Sequence, residues 1–132
     1  MFYQKLTETK ELPSTSQASP AAFDAEFAKV QEKGDTAVVI TVSSQLSGTY
    51  QSAVIAAYDY EGIYVVDSKS VAIGSAILAE YAVLLAERGF TAEEIAAAET
   101  ATAFVESIHQ ETGDEGFSLE SILSDTDCEE EM

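Results

Sequence analysis

The sequence predicts an α/β protein, specifically a three-layer α/β/α arrangement with a mainly parallel sheet. Two runs rich in β-branched residues, 36–42 and 63–66, lack the alternation of half-buried strands and are typical of strands covered on both faces. Segments with helical spacing separate and follow these runs, which indicates right-handed crossovers. Only two strands are recognisable, and a stable doubly covered sheet needs more. We therefore expect an incomplete sheet.

Capping residues mark where the helices begin and end. Residues 2–10 weakly favour a helix, and residues 14–19 read as a polar loop. Ser19 followed by Pro20 predicts the start of a second helix, because Ser is a preferred N-cap and Pro is favoured at the first helical position. Gly34 lies just past its expected end.

The later helices are predicted in the same way. A helix is expected over residues 49–58, between the two strands, and a long one from residue 71 to about residue 88, with Gly89 as its C-terminal stop. Thr91 and Glu94 form a capping-box pattern, which predicts one more helix beginning there.

The charge of the chain excludes several partners. Among 132 residues there are 24 Asp and Glu but only six Lys and Arg, a formal net charge of −18. Binding to nucleic acid or to an anionic membrane surface requires basic residues, so neither is expected. No apolar stretch is long enough to span a bilayer. Cys128 is the single cysteine, which excludes an intramolecular disulfide and makes a reducing cytoplasm the expected location.

The acidic residues are concentrated at one end. Residues 111–132 contain nine acids and no Lys or Arg, which leaves 15 acids and six bases in the first 110 residues. We therefore divide the chain into an α/β lobe at 1–110 and an acidic tail at 111–132. The tail is expected to be disordered, because low apolar content and high charge give it little surface to bury.

Hydroxyl-rich loops follow both predicted strands. In open α/β sheets ligands bind beyond the carboxyl ends of the strands, and both loops enter helix N-termini that favour an anion. Uncharged donors without clustered Lys or Arg suit a carboxylate better than a polyphosphate. Helix capping alone would also explain any single one of these residues. The loop residues are Ser43, Ser44, Ser47, Gly48, Thr49, Asp67, Ser68 and Ser70.

Two other classes of function stay open at this point. Asp67 could serve as the base of an enzyme that handles a small phosphorylated or acidic substrate, with the hydroxyl loops as the anion cradle. The sequence has a single histidine, His109, no recognisable spacing of metal ligands and no glycine-rich nucleotide motif. The chain could instead be a structural lobe that pairs with another chain, or with itself as a homo-oligomer, to complete its sheet.

Three segments together resemble the DegV family. Residues 12–20, LPSTSQASP, resemble its T-S-Q-P-S-P segment, and residues 43–53, SSQLSGTYQSA, resemble its S-S-x-L-S-G-T-Y-Q-S-A segment. Residues 66–70, VDSKS, match its D-S-K/R segment and precede a helix containing Gly74. The resemblance covers roughly residues 2 to 98. It identifies the chain as similar to the N-terminal lobe of that family, whose longer chains carry a second domain.

The resemblance implies a non-catalytic fatty-acid-binding protein. Such proteins hold a long-chain fatty acid by its carboxylate and present it to a partner kinase, with no cofactor besides the bound lipid. Carried over by motif, Thr15 and Ser47 contact the carboxylate, and Gly48 and Thr49 bring backbone N–H groups to it. Without the second domain we expect weak binding by this chain alone.

Three apolar residues are candidates for the start of the acyl path. Helices that cover a sheet bury such residues in any case, so ordinary core packing is the favoured interpretation. They are Val54, Ile73 and Ile77.

Overall fold

The computed structural model describes residues 2–9 and 13–112. Seven elements follow one another: α1 (Phe2–Glu8), α2 (Pro20–Glu32), β1 (Ala37–Thr41), α3 (Thr49–Ala57), β2 (Ile63–Asp67), α4 (Ile73–Glu87) and α5 (Ala92–Thr112). The predicted alternation of strands and helices is confirmed. The strand expected at 36–42 is one residue shorter at each end, and the helix expected from residue 71 begins two residues later.

The sheet of the described residues has two strands, β1 and β2. They pair in parallel, in a register that runs from Ala37 opposite Ile63 to Thr41 opposite Asp67. The fold is therefore α/β with a small parallel sheet. Most strand residues are half-buried rather than fully buried, which differs from the expectation, because each strand has a neighbour on one edge only.

Helices pack against both faces of this sheet. Successive strand residues point to opposite faces, so Val38 faces away from the side occupied by Ala37 and Val39. Ala37 and Val39 belong to the cluster formed with α2 and α3, whose buried members are Phe27, Ala56 and Ile63. Val38 belongs to the cluster formed with α4 and α5, whose buried members are Tyr81, Leu85 and Ile95.

The predicted caps are confirmed. The Ser19 hydroxyl accepts a hydrogen bond from the Ala22 N–H at 3.3 Å, directly before Pro20 begins α2. At α5 the Thr91 N–H donates to Glu94 Oε2 at 2.8 Å and the Glu94 N–H donates to Thr91 Oγ1 at 3.3 Å. These bonds from Thr91 hold the pKa of Glu94 below its usual value.

A buried carboxylate lies in the α4–α5 layer. The Glu99 side chain on α5 is fully buried, and its charge acts on Tyr81 of α4. Burial of the phenol and then the charge of Glu99 raise the pKa of Tyr81, while Arg88 acts in the opposite direction. Tyr81 therefore stays a neutral, buried phenol at physiological pH.

Two of the three residues assigned to the core are on the surface. Val54 is 42% exposed and Ile73 is 78% exposed, so core packing is wrong for both. Val54 lies on the side of α3 beyond the edge of β2, and Ile73 is the first residue of α4, where no other element of the described residues covers it. Ile77 is half-buried.

The structure describes the chain up to residue 112, so it includes only the first two residues of the predicted acidic tail. Helix α5 continues across the predicted boundary at residue 110 and ends at Thr112. The acidic tail beyond it, residues 113–132, lies outside the described residues. Within the described part of the chain, no helix combines the length and apolar character needed to cross a membrane.

Leu78 provides a test of the packing of α4. Its side chain is fully buried, so Leu78→Ala should lower the free energy of unfolding by about 2 to 5 kcal/mol through lost burial and a residual cavity. Val83→Ala, on the same helix at 56% exposure, is the control and should change it by about 1 kcal/mol or less. Urea unfolding measures both, and equal losses would contradict this packing.

Candidate functional site

The two strand-to-helix loops lie side by side at the carboxyl edge of the sheet. Because β1 and β2 are parallel, both chains leave the sheet in the same direction. The Ser68 N–H donates to the Thr41 carbonyl at 3.2 Å, and the Ser43 N–H donates to the Ser70 carbonyl at 2.9 Å. The predicted meeting of the hydroxyl-rich loops is thus present in the structure.

Asp67 links the two loops through its carboxylate. Oδ1 accepts hydrogen bonds from the Ser44 N–H at 3.2 Å and the Lys69 N–H at 2.9 Å, and Oδ2 accepts a short one from the Ser44 hydroxyl. Partial burial raises the pKa of Asp67, but these three donors and the charge of Lys69 together outweigh it and hold the pKa below its usual value. Lys69 has φ of 53°, in the left-handed region, at the turn that this carboxylate closes.

Several loop hydroxyls are already used within the protein. Ser68 is 2% exposed; its hydroxyl donates to the Ser70 carbonyl at 3.1 Å and accepts from the Ser75 hydroxyl at 2.9 Å. Ser44 is bound to Asp67. These residues therefore shape the loops. The segment 47–49, which contains three of the predicted contact residues, is the remaining candidate from the motif resemblance.

Residues 47–49 lead into α3, which has Gly48 as its N-cap and Thr49 as its first residue. The Ser47 and Thr49 hydroxyls are 2.8 Å apart, and the Thr49 N–H donates to Ser47 Oγ at 3.2 Å. All three residues of the segment are half-buried. The N–H groups of Tyr50 and Gln51, in the first turn, have no acceptor within the helix. Together with the positive end of the helix dipole they suit one negatively charged group.

The loop before α2 lies against this segment through Gln17, a residue that the sequence reasoning did not select. A Cβ on Gly48 would collide with Gln17 Oε1, so the amide lies directly on the glycine backbone. Gln17 Nε2 also reaches the Ser52 hydroxyl at 3.5 Å. Thr15 is exposed, two residues before Gln17. Position 48 therefore has to lack a side chain, because the Gln17 amide lies against its backbone. This glycine in the motif is the sequence signal that could have indicated the contact.

The structure does not give Asp67 the properties of a general base. A general base at neutral pH needs a pKa near the operating pH, whereas Asp67 has a lowered pKa and three donors on its oxygens. Among residues 2–9 and 13–112 no cluster of three or more metal-ligating side chains occurs. The side chain of His109 lies outside the described residues.

A family model agrees with the three motifs. The model described as an uncharacterised protein of the DegV family matches residues 1–107. The chain belongs to the DegV family. Its match therefore includes both strands, the two loops at their carboxyl ends and the first part of α5.

Named relatives in the DegV family bind lipids. A fatty acid-binding protein of Thermotoga maritima is 38% identical over 96 residues, which is 71% of this chain and 33% of the relative. A DegV lipid-binding protein of the same organism superimposes with a TM-score of 0.70 at 34% identity, over 80% of this chain and 38% of that one. A fatty-acid-binding DegV protein of Thermus thermophilus gives a TM-score of 0.64 at 32% identity, over 76% of this chain and 36% of that one.

The chain spans only about a third of the length of the relatives it matches. The match is to their N-terminal region, as the motif resemblance implied.

The carboxylate of Asp67 should make stability depend on pH. Its folded-state pKa is below the unfolded value of about 3.9, so its stabilisation is present above that pH and is lost as the pH falls through the folded pKa. We expect Asp67→Asn to be less stable than the unaltered chain at pH 7, with the difference shrinking below pH of about 4. Urea midpoints across this range measure it; a constant difference contradicts the prediction. Asp59→Asn, an exposed carboxylate, controls for net charge.

The contact between Gln17 and Gly48 can be tested by a double-mutant cycle. Gly48 has φ of −74°, which alanine accepts, so Gly48→Ala acts mainly by displacing the Gln17 amide. Its effect on the free energy of unfolding should differ between the wild-type and Gln17→Ala backgrounds by about 0.5 kcal/mol or more. Gly34→Ala, where a Cβ meets nothing within 4 Å, should be additive with Gln17→Ala. Additivity in both pairs contradicts the contact.

Proposed function

We propose that this chain binds a long-chain fatty acid by its carboxylate at the start of α3. The observation that carries the proposal is the packing of Gln17 onto Gly48, because it brings the loop containing Thr15 to the segment 47–49. Thr15 and Ser47 would donate hydroxyl hydrogen bonds, and the backbone at Gly48 and Thr49 would complete the pocket. The names of the Thermotoga and Thermus relatives support a fatty acid as the ligand.

The charges of the site support a carboxylate rather than a phosphate. The segment 47–49 offers neutral donors at a helix N-terminus, while Asp67 places a carboxylate in the neighbouring loop. A dianionic phosphate would meet more repulsion from Asp67 than a single carboxylate would. Lys69, the cation of that loop, is exposed and follows Asp67.

The proposed function also includes a cellular location, a partner and a larger fold. We assign the chain to the reducing cytoplasm and treat it as non-catalytic, with a fatty-acid kinase as the partner that would receive the carboxylate. The two-stranded sheet would be one part of a three-layer α/β/α lobe. In that arrangement further polypeptide helps to enclose the acyl chain.

Calorimetry with palmitate tests the ligand and the site together. Burial contributes roughly 0.8 kcal/mol per methylene, and a path open on one side recovers only part of it, so we expect micromolar or weaker affinity. Thr15→Ala/Ser47→Ala should reduce that affinity at least tenfold, because hydrogen bonds to a charged group are each worth about 1.5 to 3 kcal/mol.

Two controls make the result decisive. The double variant should keep the wild-type circular dichroism spectrum, and Ser14→Ala/Ser16→Ala, which alters neighbouring exposed hydroxyls, should bind as the unaltered chain does. Undiminished binding by Thr15→Ala/Ser47→Ala refutes the site. Absence of fatty acid in lipid extracts of natively purified protein, with no binding of palmitate, refutes the ligand.

A further inference from the structure

The turn between β1 and α3 is attached to the end of β2 and the loop after it at two adjacent residues. The Ser43 N–H donates to the Ser70 carbonyl at 2.9 Å. Directly after it, the Ser44 N–H donates to Asp67 Oδ1 at 3.2 Å and the Ser44 hydroxyl donates to Oδ2. The first attachment joins two neutral groups, whereas the second uses both oxygens of a carboxylate. Asp67 therefore makes the stronger attachment, because hydrogen bonds to a charged acceptor are roughly twice as strong as neutral ones.

The attached residues belong to the same turn as Ser47. The Ser43 carbonyl accepts hydrogen bonds from the Leu46 N–H at 3.0 Å and from the Ser47 N–H at 3.2 Å. The next residue, Gly48, is the N-cap of α3. Because one hydrogen-bonded turn connects Ser44 with Ser47, a displacement of Ser44 also moves the Ser47 hydroxyl, which is one of the proposed donors to the ligand.

Asp67 is itself held on a rigid element. It is the last residue of β2 and pairs opposite Thr41 of β1, and its Oδ1 also accepts from the Lys69 N–H at 2.9 Å. The charge of this carboxylate on its own would repel an anionic ligand. Any favourable effect of Asp67 on the binding of a carboxylate therefore has to act through the groups that it holds, above all Ser44.

We propose that Asp67 is a positioning residue of the carboxylate site: by holding Ser44, it holds the turn that places the Ser47 hydroxyl at the start of α3. This role rests on the proposed function and adds to it a residue that does not touch the ligand. The hydrogen bonds from Asp67 to Ser47 all join residues that the structure describes, in a path of two contacts within one edge of the sheet.

Calorimetry with palmitate at pH 7 tests this role on the full chain. Asp67→Ala removes every acceptor of the side chain and should weaken binding at least tenfold. Asp67→Asn keeps an oxygen that can accept from the Ser44 and Lys69 N–H groups, so its affinity should stay within about threefold of that of the unaltered chain. Unchanged affinity in Asp67→Ala would overturn the proposal. Tighter binding would also overturn it, because the charge would then act on the ligand by repulsion alone.

Two further variants separate positioning from general stability. Thr91→Ala removes the hydroxyl that bonds Glu94 at the start of α5, which lowers stability away from the loops, and should leave the palmitate affinity within about twofold. An equal loss of affinity in Thr91→Ala and Asp67→Ala would overturn the proposal.

Ser44→Ala removes the bond to Oδ2 and gives the same test should Asp67→Ala fail to fold. It should weaken palmitate binding about threefold, and unchanged binding would count against the role of Asp67. Asp67→Ala/Ser44→Ala should bind as Asp67→Ala does, because both changes remove the same bond. Multiplication of the two losses would overturn the proposal, since Asp67 would then act by a route other than Ser44.

Amide hydrogen exchange without ligand distinguishes a failure of this role from a failure of the proposed function. The Ser47 N–H should exchange at least tenfold faster in Asp67→Ala than in Thr91→Ala, because the turn loses its attachment. Equal exchange in the two variants would overturn the role of Asp67 whether or not palmitate binds. Faster exchange with undiminished palmitate affinity would overturn the positioning role and leave the proposed function intact. Absence of palmitate binding by the unaltered chain would refute both.

Discussion

The parallel pairing of β1 with β2 is the constraint on which the site depends. It directs both loops out of the same edge of the sheet, and the bond from the Ser43 N–H to the Ser70 carbonyl then joins them. Asp67 adds a charged acceptor that holds Ser44 and the backbone of Lys69. Charge-assisted hydrogen bonds are stronger than neutral ones, so the loop preceding α3 is held by the strand that follows α3.

This internal bonding limits what the site can offer to a ligand. A cluster of hydroxyls in sequence looks like a large set of donors, but Ser44 and Ser68 are bound to other protein groups. Ser47 likewise bonds the Thr49 N–H and hydroxyl, so a carboxylate would either displace this pair or bind beside it. The donor set is therefore small and suited to one charge, while the remaining hydroxyls keep the loops in place.

Patterns within a few adjacent residues predicted the helices and strands, whereas contacts between distant parts of the chain were not predicted. The two strands, the Ser19 cap and the Thr91–Glu94 capping box are each encoded by a few adjacent residues, and all appear in the structure. The strands are nevertheless mostly half-buried, because burial depends on neighbours that a local pattern does not show. The contact of Gln17 with Gly48 joins positions far apart in the chain, and no local pattern gives its geometry. Val54 was misassigned because helical periodicity reports an apolar face without saying whether anything covers it.

Helix α3 connects the candidate site with the core of the fold. Its first turn contains Thr49, and its contact with the sheet lies through Ala56 and Ile63, in the small apolar cluster that also contains Phe27 of α2. Gln17 adds a second restraint, because its amide lies on the Gly48 backbone and its Nε2 reaches the Ser52 hydroxyl on the same helix. The position of the candidate donors therefore depends on a core contact and a loop contact that both act through one helix.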